Sequence, residues 1–258
     1  MDDKNIRELY EVFRVEKGIG LFLEDHIQRL FHGADKAGIK LNFNFETIKN
    51  FFKETIKREK IISGNVRLSV FFDSSDGSVI SYHASGVPHS YPTSEQYQKG
   101  ISCGLFFNER ENTQTKIANT LLRYDANQII KEKDYFELLL VNHQGEITEG
   151  SRSNVFFIVG HKLFTAPDQM VLPGIARKKT LEVAQALKIP VDFSPLHHQH
   201  LKDVEAAFIT GTSPRILAIK SIETLNFKAD HPIIHQLTDG FSKLVKSYID
   251  KRNQSPDD

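Results

Sequence analysis

The irregular order of helical and strand-like segments in the second half of the chain most constrains its fold. A helical pattern over residues 117–133 leads into a strand-like run at 136–142. Further strand-like runs lie at 154–159, 162–165, 190–193 and 206–210, and further helical patterns at 175–188, 201–204 and 232–250. Because strands and helices do not alternate as regular βαβ units would, this order predicts an α+β fold rather than a doubly wound parallel sheet.

The first half predicts a smaller α/β domain. Strand-like runs occur at 6–15, 21–23, 66–72, 79–82 and 101–107, amphipathic helical patterns at 24–38 and 45–60, and a surface loop at 84–100. Residues 108–115 are polar and predict an interdomain linker. We therefore expect a small domain over 1–107, a large domain over 116–250 and a disordered tail over 251–258.

Charge and cysteine content exclude several classes of protein. The 33 Lys and Arg residues balance 33 Asp and Glu residues, so no global field favours nucleic acid or an anionic membrane. The single cysteine, Cys103, rules out an intrachain disulfide framework and fits a reducing compartment. No apolar run has the length of a membrane span, and the first residues lack the apolar core of a signal peptide. We expect a cytoplasmic protein without nucleic-acid or membrane partners.

Lys116 and Glu149 are the first candidates for chemistry. Lys116 precedes a helical segment, and Glu149 lies at a strand end between Thr148 and Gly150. A lysine acts as a nucleophile only as the free amine, which burial or nearby cations favour. On position alone, an exposed surface charge is the more common role for Lys116, and Glu149 alone could be solvated or cap the next segment.

Other segments predict an anion site. Leu172-Pro173-Gly174-Ile175 enters a helix whose first N–H groups and dipole favour an anion. A strand runs into the small polar turn Gly211-Thr212-Ser213, which offers further donors or is simply a turn. His26 and Arg29 share a helix face, where a surface pair is the alternative. The histidine-rich run 196–200 lacks further ligands at metal-site spacing, so we expect a polar loop before a helix and no metal.

In chain order, these segments resemble the class IV aminotransferases, the fold-type IV pyridoxal 5′-phosphate (PLP) enzymes. That family includes branched-chain aminotransferases, D-amino acid aminotransferases and aminodeoxychorismate lyases. The matching motifs are Tyr10-Glu11-Val12, His26-x-x-Arg29-Leu30, Lys116-x-x-Asn119, Phe136-Glu137, Thr148-Glu149-Gly150, Ser151-x-Ser153-Asn154-Val155-Phe156, Leu172-Pro173-Gly174-Ile175-x-Arg177 and Gly211-Thr212-Ser213. The resemblance implies a two-domain fold whose larger C-terminal domain has a β-barrel-like core.

The resemblance also implies roles for individual residues. Lys116 would form the Schiff base with PLP and move the substrate proton, and Glu149 would pair with the pyridine nitrogen. Arg29 and the backbone amides of Ile175 and Ala176 would hold the phosphate. Gly211 and Thr212 would also bind it. Ala176 replaces a threonine usual in the family, which removes one side-chain donor. Tyr10 and Glu11 would line the substrate side.

This chain departs from the family pattern around the substrate. Only nine residues precede Tyr10, so the usual N-terminal hairpin would be shortened. The arginine–x–histidine carboxylate trap of the D-amino acid enzymes is replaced by Phe71-Phe72-Asp73-Ser74-Ser75, and the Gly-Gly-Asn-Tyr run of the branched-chain enzymes is missing. Arg67 and Arg152 are the substitutes that we expect for binding a substrate carboxylate.

Three functions follow from the resemblance. The first is an aminotransferase that moves an amino group from an amino acid to a 2-oxo acid. The second is aminodeoxychorismate lyase, which eliminates pyruvate, and the shared motifs do not separate these two activities. The third is a PLP-binding protein without catalysis, which the intact Lys116 and Glu149 argue against. Because family members borrow residues from a second subunit, the resemblance also implies a homodimer.

Overall fold

A computed structural model describes residues 5–110, 113–118 and 120–254. The chain folds into two compact units. The first unit contains Met1–Ser90, Gln114–Ala118 and Leu244–Asp258, and the second contains Tyr91–Thr113 and Asn119–Lys243. These units differ from the predicted domains, because sequence alone does not reveal which distant segment a strand pairs with.

The first unit contains a four-stranded antiparallel sheet and two helices. Its elements are β1 (Ile6–Glu16), β2 (Ile19–Gly20), α1 (Leu23–Lys36), α2 (Phe45–Arg58), β3 (Ser63–Asp73) and β4 (Val79–Val87). The strand order is β2-β1-β3-β4. The predicted return strand at 21–23 is wrong, because Phe22 has a left-handed backbone with φ 53° and α1 begins immediately after it.

The apolar faces predicted for α1 and α2 form the core of this unit. Ile27 and Leu30 of α1 and Ile48 and Phe52 of α2 are fully buried. Phe52 meets Phe13 of β1 edge-on, with 4.8 Å between ring centroids. Complete burial of each such side chain stabilises the fold by roughly 1.5–3 kcal/mol, so this cluster fixes both helices on one face of the sheet.

The second unit is built on a larger mixed sheet. Its elements are α3 (Ser94–Lys99), β5 (Ile101–Phe107), α4 (Thr120–Lys133), β6 (Glu137–Val141), β7 (Glu146–Gly150), β8 (Asn154–Val159), β9 (Lys162–Phe164), α5 (Ile175–Ala186), β10 (Val191–Asp192), β11 (Leu196–His197), β12 (Ala206–Gly211), β13 (Arg215–Ile222), β14 (Leu225–Asn226) and α6 (Pro232–Gln254). The strands follow the order β10-β9-β8-β12-β13-β5-β6-β7-β11, and β14 pairs with β13.

Several predicted boundaries in this unit need correction. Strand β5 pairs in parallel with β6 and β13, so it belongs to the larger sheet and not to a domain ending at 107. The predicted loop 84–100 contains the end of β4 and the helix α3, which starts with a capping box formed by Thr93 and Gln96. Strand β13 is absent from the sequence prediction.

The C-terminal helix also differs from the prediction. Helix α6 continues to Gln254, so a disordered tail beginning at residue 251 is wrong, while residues 255–258 lie outside the described part of the chain. No helix among the residues described combines the length and apolar character needed to cross a membrane.

Candidate active site

Lys116 is held beside the outer edge of β1. The Tyr10 N–H donates to the Lys116 carbonyl at 3.1 Å, and the Ala118 N–H donates to the Glu8 carbonyl at 2.9 Å. Leu9 and Ile117 form an isolated antiparallel bridge between these two contacts. This short pairing explains why a segment about a hundred residues away joins the first unit. The predicted partner in the motif, Asn119, lies outside the described residues.

The Tyr10 ring contacts two cations of the first unit. The Lys116 Nζ lies 5.1 Å from the ring centroid, and the Arg67 Cζ lies 4.1 Å from it. Arg67 also pairs with Glu8, with 2.7 Å between Nη2 and Oε1. Tyr10 pairs with Ser69 and Val12 with Arg67 across β1 and β3, so these side chains occupy one face of the sheet.

Glu11 lies on the opposite face, in a buried cluster with α1. Its carboxylate is 1% exposed and accepts bonds from Arg29 Nε at 2.8 Å, Arg29 Nη2 at 2.7 Å and His26 Nδ1 at 2.9 Å. The two residues expected on the substrate side, Tyr10 and Glu11, therefore lie on opposite faces of the sheet. Consecutive residues of a strand point to opposite faces, and Glu11 instead fixes the Arg29 guanidinium.

The pKa values of this cluster follow from burial and charge. Burial alone would raise the pKa of Glu11, but the charge and hydrogen bonds of Arg29, with those of His26, hold it well below its usual range. Burial lowers the pKa of His26, the Glu11 carboxylate opposes that change, and the charges of Arg29 and Lys116 add to it. The cluster therefore contains an ionised carboxylate, a guanidinium cation and a histidine that resists protonation.

Glu149 is the buried carboxylate of the second unit. It is 2% exposed at the end of β7, and its Oε1 accepts a bond from Arg110 Nε at 2.6 Å. Its Oε2 accepts the Leu172 N–H at 3.1 Å and the Asn154 Nδ2 at 3.4 Å. Arg110 is a site residue that the sequence prediction missed, because its segment was interpreted as a polar linker.

Asn154 connects Glu149 to the start of α5. Its Nδ2 also donates to the Leu172 carbonyl at 3.0 Å. A Cβ at Gly174 would lie 2.1 Å from the Asn154 Oδ1, so a larger residue at this N-cap would displace the Asn154 side chain. No side chain caps α5, and its first turn carries no acidic residue. The predicted anion-binding helix start therefore lies next to the predicted carboxylate.

The turn after β12 begins beside Asn154. Thr210 pairs with Asn154 across β12 and β8, directly before Gly211 and Thr212. The Thr210 Oγ1 is buried and has no hydrogen-bond partner among the described residues. Buried hydroxyl groups are normally bonded, so this atom indicates a place where a polar ligand atom would be accommodated.

Arg152 has a different environment from the one expected of a substrate ligand. It is exposed, and its Nη2 donates to the Phe136 carbonyl at 3.1 Å. The neighbouring turn is fixed by Glu137, which accepts bonds from Ser151 Oγ at 2.6 Å and Ser153 Oγ at 2.9 Å. Glu137 thus supports the turn between Glu149 and Asn154.

The predicted site residues divide between the two units. The first holds Tyr10, Glu11, Arg29, Arg67 and Lys116, and the second holds Glu149, Arg152, Ile175, Ala176, Gly211 and Thr212. The histidine-rich run forms β11 and a short 3-10 helix, His198–Asp203. Among the described residues, no group of three or more His, Cys, Asp or Glu side chains is arranged to hold a metal ion.

Comparison with known proteins decides the family. The family model described as amino-transferase class IV matches residues 8–222. The chain belongs to the class IV aminotransferases. Members of this family are PLP-dependent enzymes, so the predicted family and enzyme class are confirmed.

Individual relatives of this class IV enzyme differ in activity. A probable branched-chain-amino-acid aminotransferase of Rickettsia bellii (strain RML369-C) is 26% identical over 251 residues, which cover 92% of this chain and 86% of that protein. A D-alanine aminotransferase of Bacillus licheniformis is 28% identical over 254 residues, which cover 93% of this chain and 88% of that protein.

A solved structure confirms the fold. The putative 4-amino-4-deoxychorismate lyase from Legionella pneumophila subsp. pneumophila str. Philadelphia 1 superposes with a TM-score of 0.80 at 20% identity, over 92% of this chain and 90% of that chain. This likeness supports the predicted α+β, fold-type IV architecture and does not select an activity.

Proposed function

We propose that this enzyme is an aminotransferase that moves an amino group from an amino acid to a 2-oxo acid with bound PLP. The observation that carries the proposal is the buried, ion-paired carboxylate of Glu149 beside the uncapped start of α5. Both curated relatives described above are aminotransferases. The family match extends over Lys116, Glu149 and the α5 start, which are the parts that such an enzyme needs.

The polar groups of the second unit fit PLP. Glu149 would accept a bond from the pyridine nitrogen, and the amides of Ile175 and Ala176 with Gly211 and Thr212 would bind the phosphate. Support comes from the orphaned Thr210 hydroxyl and from Gly174, where any Cβ would collide with Asn154. When bound, PLP supplies the electron sink for the carbanion at the substrate Cα.

Arg29 would add a cation to the phosphate site, and Glu11 would position it. Two nitrogen atoms of the guanidinium are bound to Glu11, which fixes the plane of the group. Because Glu11 is ionised and buried, its proposed role is to hold the Arg29 guanidinium in place.

Lys116 would provide the reactive amine and carry the substrate proton. Its backbone is fixed on both sides by the hydrogen bonds to β1, so the side chain extends from a defined position. A lysine amine accepts a proton only when it is neutral, so the amine must be uncharged in the reacting state.

Arg67 is the better of the two candidates for the substrate carboxylate. It lies against the Tyr10 ring, on the same sheet face and near the Lys116 amine. Arg152 is instead exposed and bonded to a backbone carbonyl. We therefore propose that Tyr10 and Arg67 contribute to substrate recognition.

Trapping the covalent link tests the cofactor assignment. Borohydride treatment of PLP-loaded protein, followed by digestion and mass spectrometry, is expected to place a pyridoxyl group on the peptide containing Lys116. The Lys116→Ala variant serves as the control and should lack it. Protein that PLP cannot reconstitute would refute catalysis through this cofactor.

Aminodeoxychorismate lyase is the second candidate function. It stays a candidate because the class IV motifs of this chain do not separate the lyase from the aminotransferases. Single-turnover screening separates the two activities. We expect L- or D-amino acids to discharge the visible absorbance of the PLP-loaded protein, whereas pyruvate release from aminodeoxychorismate without such discharge would establish the lyase.

We also propose that the enzyme works as a homodimer, as the family resemblance implies. Light scattering coupled to size-exclusion chromatography tests this proposal. A mass near twice 29.4 kDa is expected, and a monomer with full activity would refute it.

A further inference from the structure

A second concave site lies in the first unit, apart from the residues discussed so far. Its cavity of about 590 Å³ is formed by the β1–β2 turn, the start of α1, the second half of α2, residues 60–62 and residues 248–253 of α6. This volume is within the range of small-molecule pockets in proteins.

The cavity has an apolar wall. Ile19, Leu23, Ile56, Ile61 and Ile62 all line it. Ile62 is 69% exposed, so it contributes apolar surface that is in contact with water. A ligand with a hydrocarbon body would remove this surface from water and gain roughly 25 cal/mol per Å² buried.

Cations surround the same cavity. Lys53 and Lys57 are four residues apart on one face of α2, and Lys60 follows with a left-handed backbone. Arg252 lines the cavity from α6. Among the residues that the structure describes, none of the three lysines forms a salt bridge with a carboxylate.

The only carboxylate lining the described cavity is already bound. Glu24 accepts bonds from Arg252 Nη2 at 2.6 Å and from the Tyr248 hydroxyl at 2.8 Å. Burial and the nearby Glu24 charge raise the pKa of Tyr248, so the phenol remains a donor. Four cations and one anion leave the lining with a net charge of three positive units.

We propose that this cavity binds a small monocarboxylate with an aliphatic body. The carboxylate would lie among Lys53, Lys57 and Lys60, and the hydrocarbon would lie against Ile62 and its aliphatic neighbours. Charge complementarity selects the anion, because the one lining carboxylate is neutralised by Arg252. The inference does not depend on amino transfer, and the site contains none of the proposed PLP ligands.

Isothermal titration of the PLP-loaded full chain with octanoate tests the site. We expect saturable 1:1 binding that weakens with added salt, and much weaker binding of the neutral analogue 1-octanol or of acetate. The Lys53→Gln/Lys57→Gln double variant should raise the Kd about tenfold, since charge-assisted hydrogen bonds are the strong ones. Lys49→Gln, on the same helix but outside the cavity, is the matched control and should change the Kd less than twofold.

Three results would overturn the proposal. One is the absence of octanoate binding, another is equal binding of 1-octanol, and the third is an unchanged Kd in the double variant. Co-sedimentation with anionic phospholipid vesicles in the absence of octanoate binding would instead identify a membrane surface. Ile62→Ala separates the apolar contribution to binding from the electrostatic one. It should weaken octanoate binding while leaving the salt dependence intact.

Discussion

Two buried carboxylates, Glu11 in the first unit and Glu149 in the second, are held in different ways. Glu11 receives three short bonds from the side chains of Arg29 and His26. Among the described residues, one oxygen of Glu149 accepts a short bond from Arg110, and the other accepts two longer bonds from Leu172 and Asn154. We infer that Glu11 is a structural support and that Glu149 can exchange its weaker bonds for one to a ligand.

The largest expected effect is the loss of stability in Glu11→Ala. The variant leaves the Arg29 guanidinium buried without its carboxylate, and breaking a buried pair in this way costs about 3–5 kcal/mol. Urea denaturation of the protein without cofactor measures the change. Glu16→Ala, on the same strand at a more exposed pair, should lose less than about 1 kcal/mol. Equal losses in the two variants would contradict the supporting role of Glu11.

Glu149→Gln should affect catalysis more than folding. The amide keeps the shape but removes the charge that would hold the pyridine nitrogen protonated, so we expect kcat to fall about 10²–10³-fold. Measured PLP affinity should change much less. Unchanged turnover would remove Glu149 from the reaction, and a stability loss as large as that of Glu11→Ala would make it a second structural carboxylate.

His26 makes the stability of the Glu11 cluster depend on pH. Its pKa is lowered in the folded protein, so below its ordinary value of 6.5 the unfolded chain takes up a proton that the folded chain does not. The contribution of neutral His26 to the free energy of unfolding is therefore fully present above pH 6.5 and is lost as the pH falls below that value. The pKa of Glu11 is also lowered, so its stabilisation is present above its ordinary value of 4.5 and is lost only as the pH falls below that value.

Replacing His26 tests this dependence. The decrease in unfolding free energy between pH 7.5 and 5.5 should be smaller in His26→Gln than in the wild type. His161→Gln, at an exposed turn, is the control and should show the wild-type decrease. Parallel curves for wild type and His26→Gln would show that another group controls stability in this range.

The sequence could predict features that depend on local spacing, but not those that depend on contacts between distant segments. Apolar periodicity located the buried faces of α1 and α2, because helix packing depends on local spacing. Motif order identified the family and predicted the roles of Lys116 and Glu149. Arg110 and the supporting role of Glu11 were missed, since both depend on contacts between distant segments or on the direction of a side chain from its strand. Strand β13 and the place of β5 in the large sheet were missed for the same reason.

Thr210→Val should produce the smallest effect. It tests whether the groups around Glu149 bind a ligand, in contrast to the structural cluster around Glu11. The substitution keeps the β-branched shape and removes a buried hydroxyl that has no partner among the described residues. Without cofactor, the variant should be as stable as the wild type or slightly more stable, because an unsatisfied buried polar group is removed. If that hydroxyl bonds to the phosphate, PLP affinity should fall by about 1 kcal/mol, the usual net value of one hydrogen bond. Spectroscopic PLP titration and urea denaturation measure the two quantities. A loss of stability without a change in PLP affinity would mean that Thr210 serves the fold, as Glu11 does, rather than the ligand.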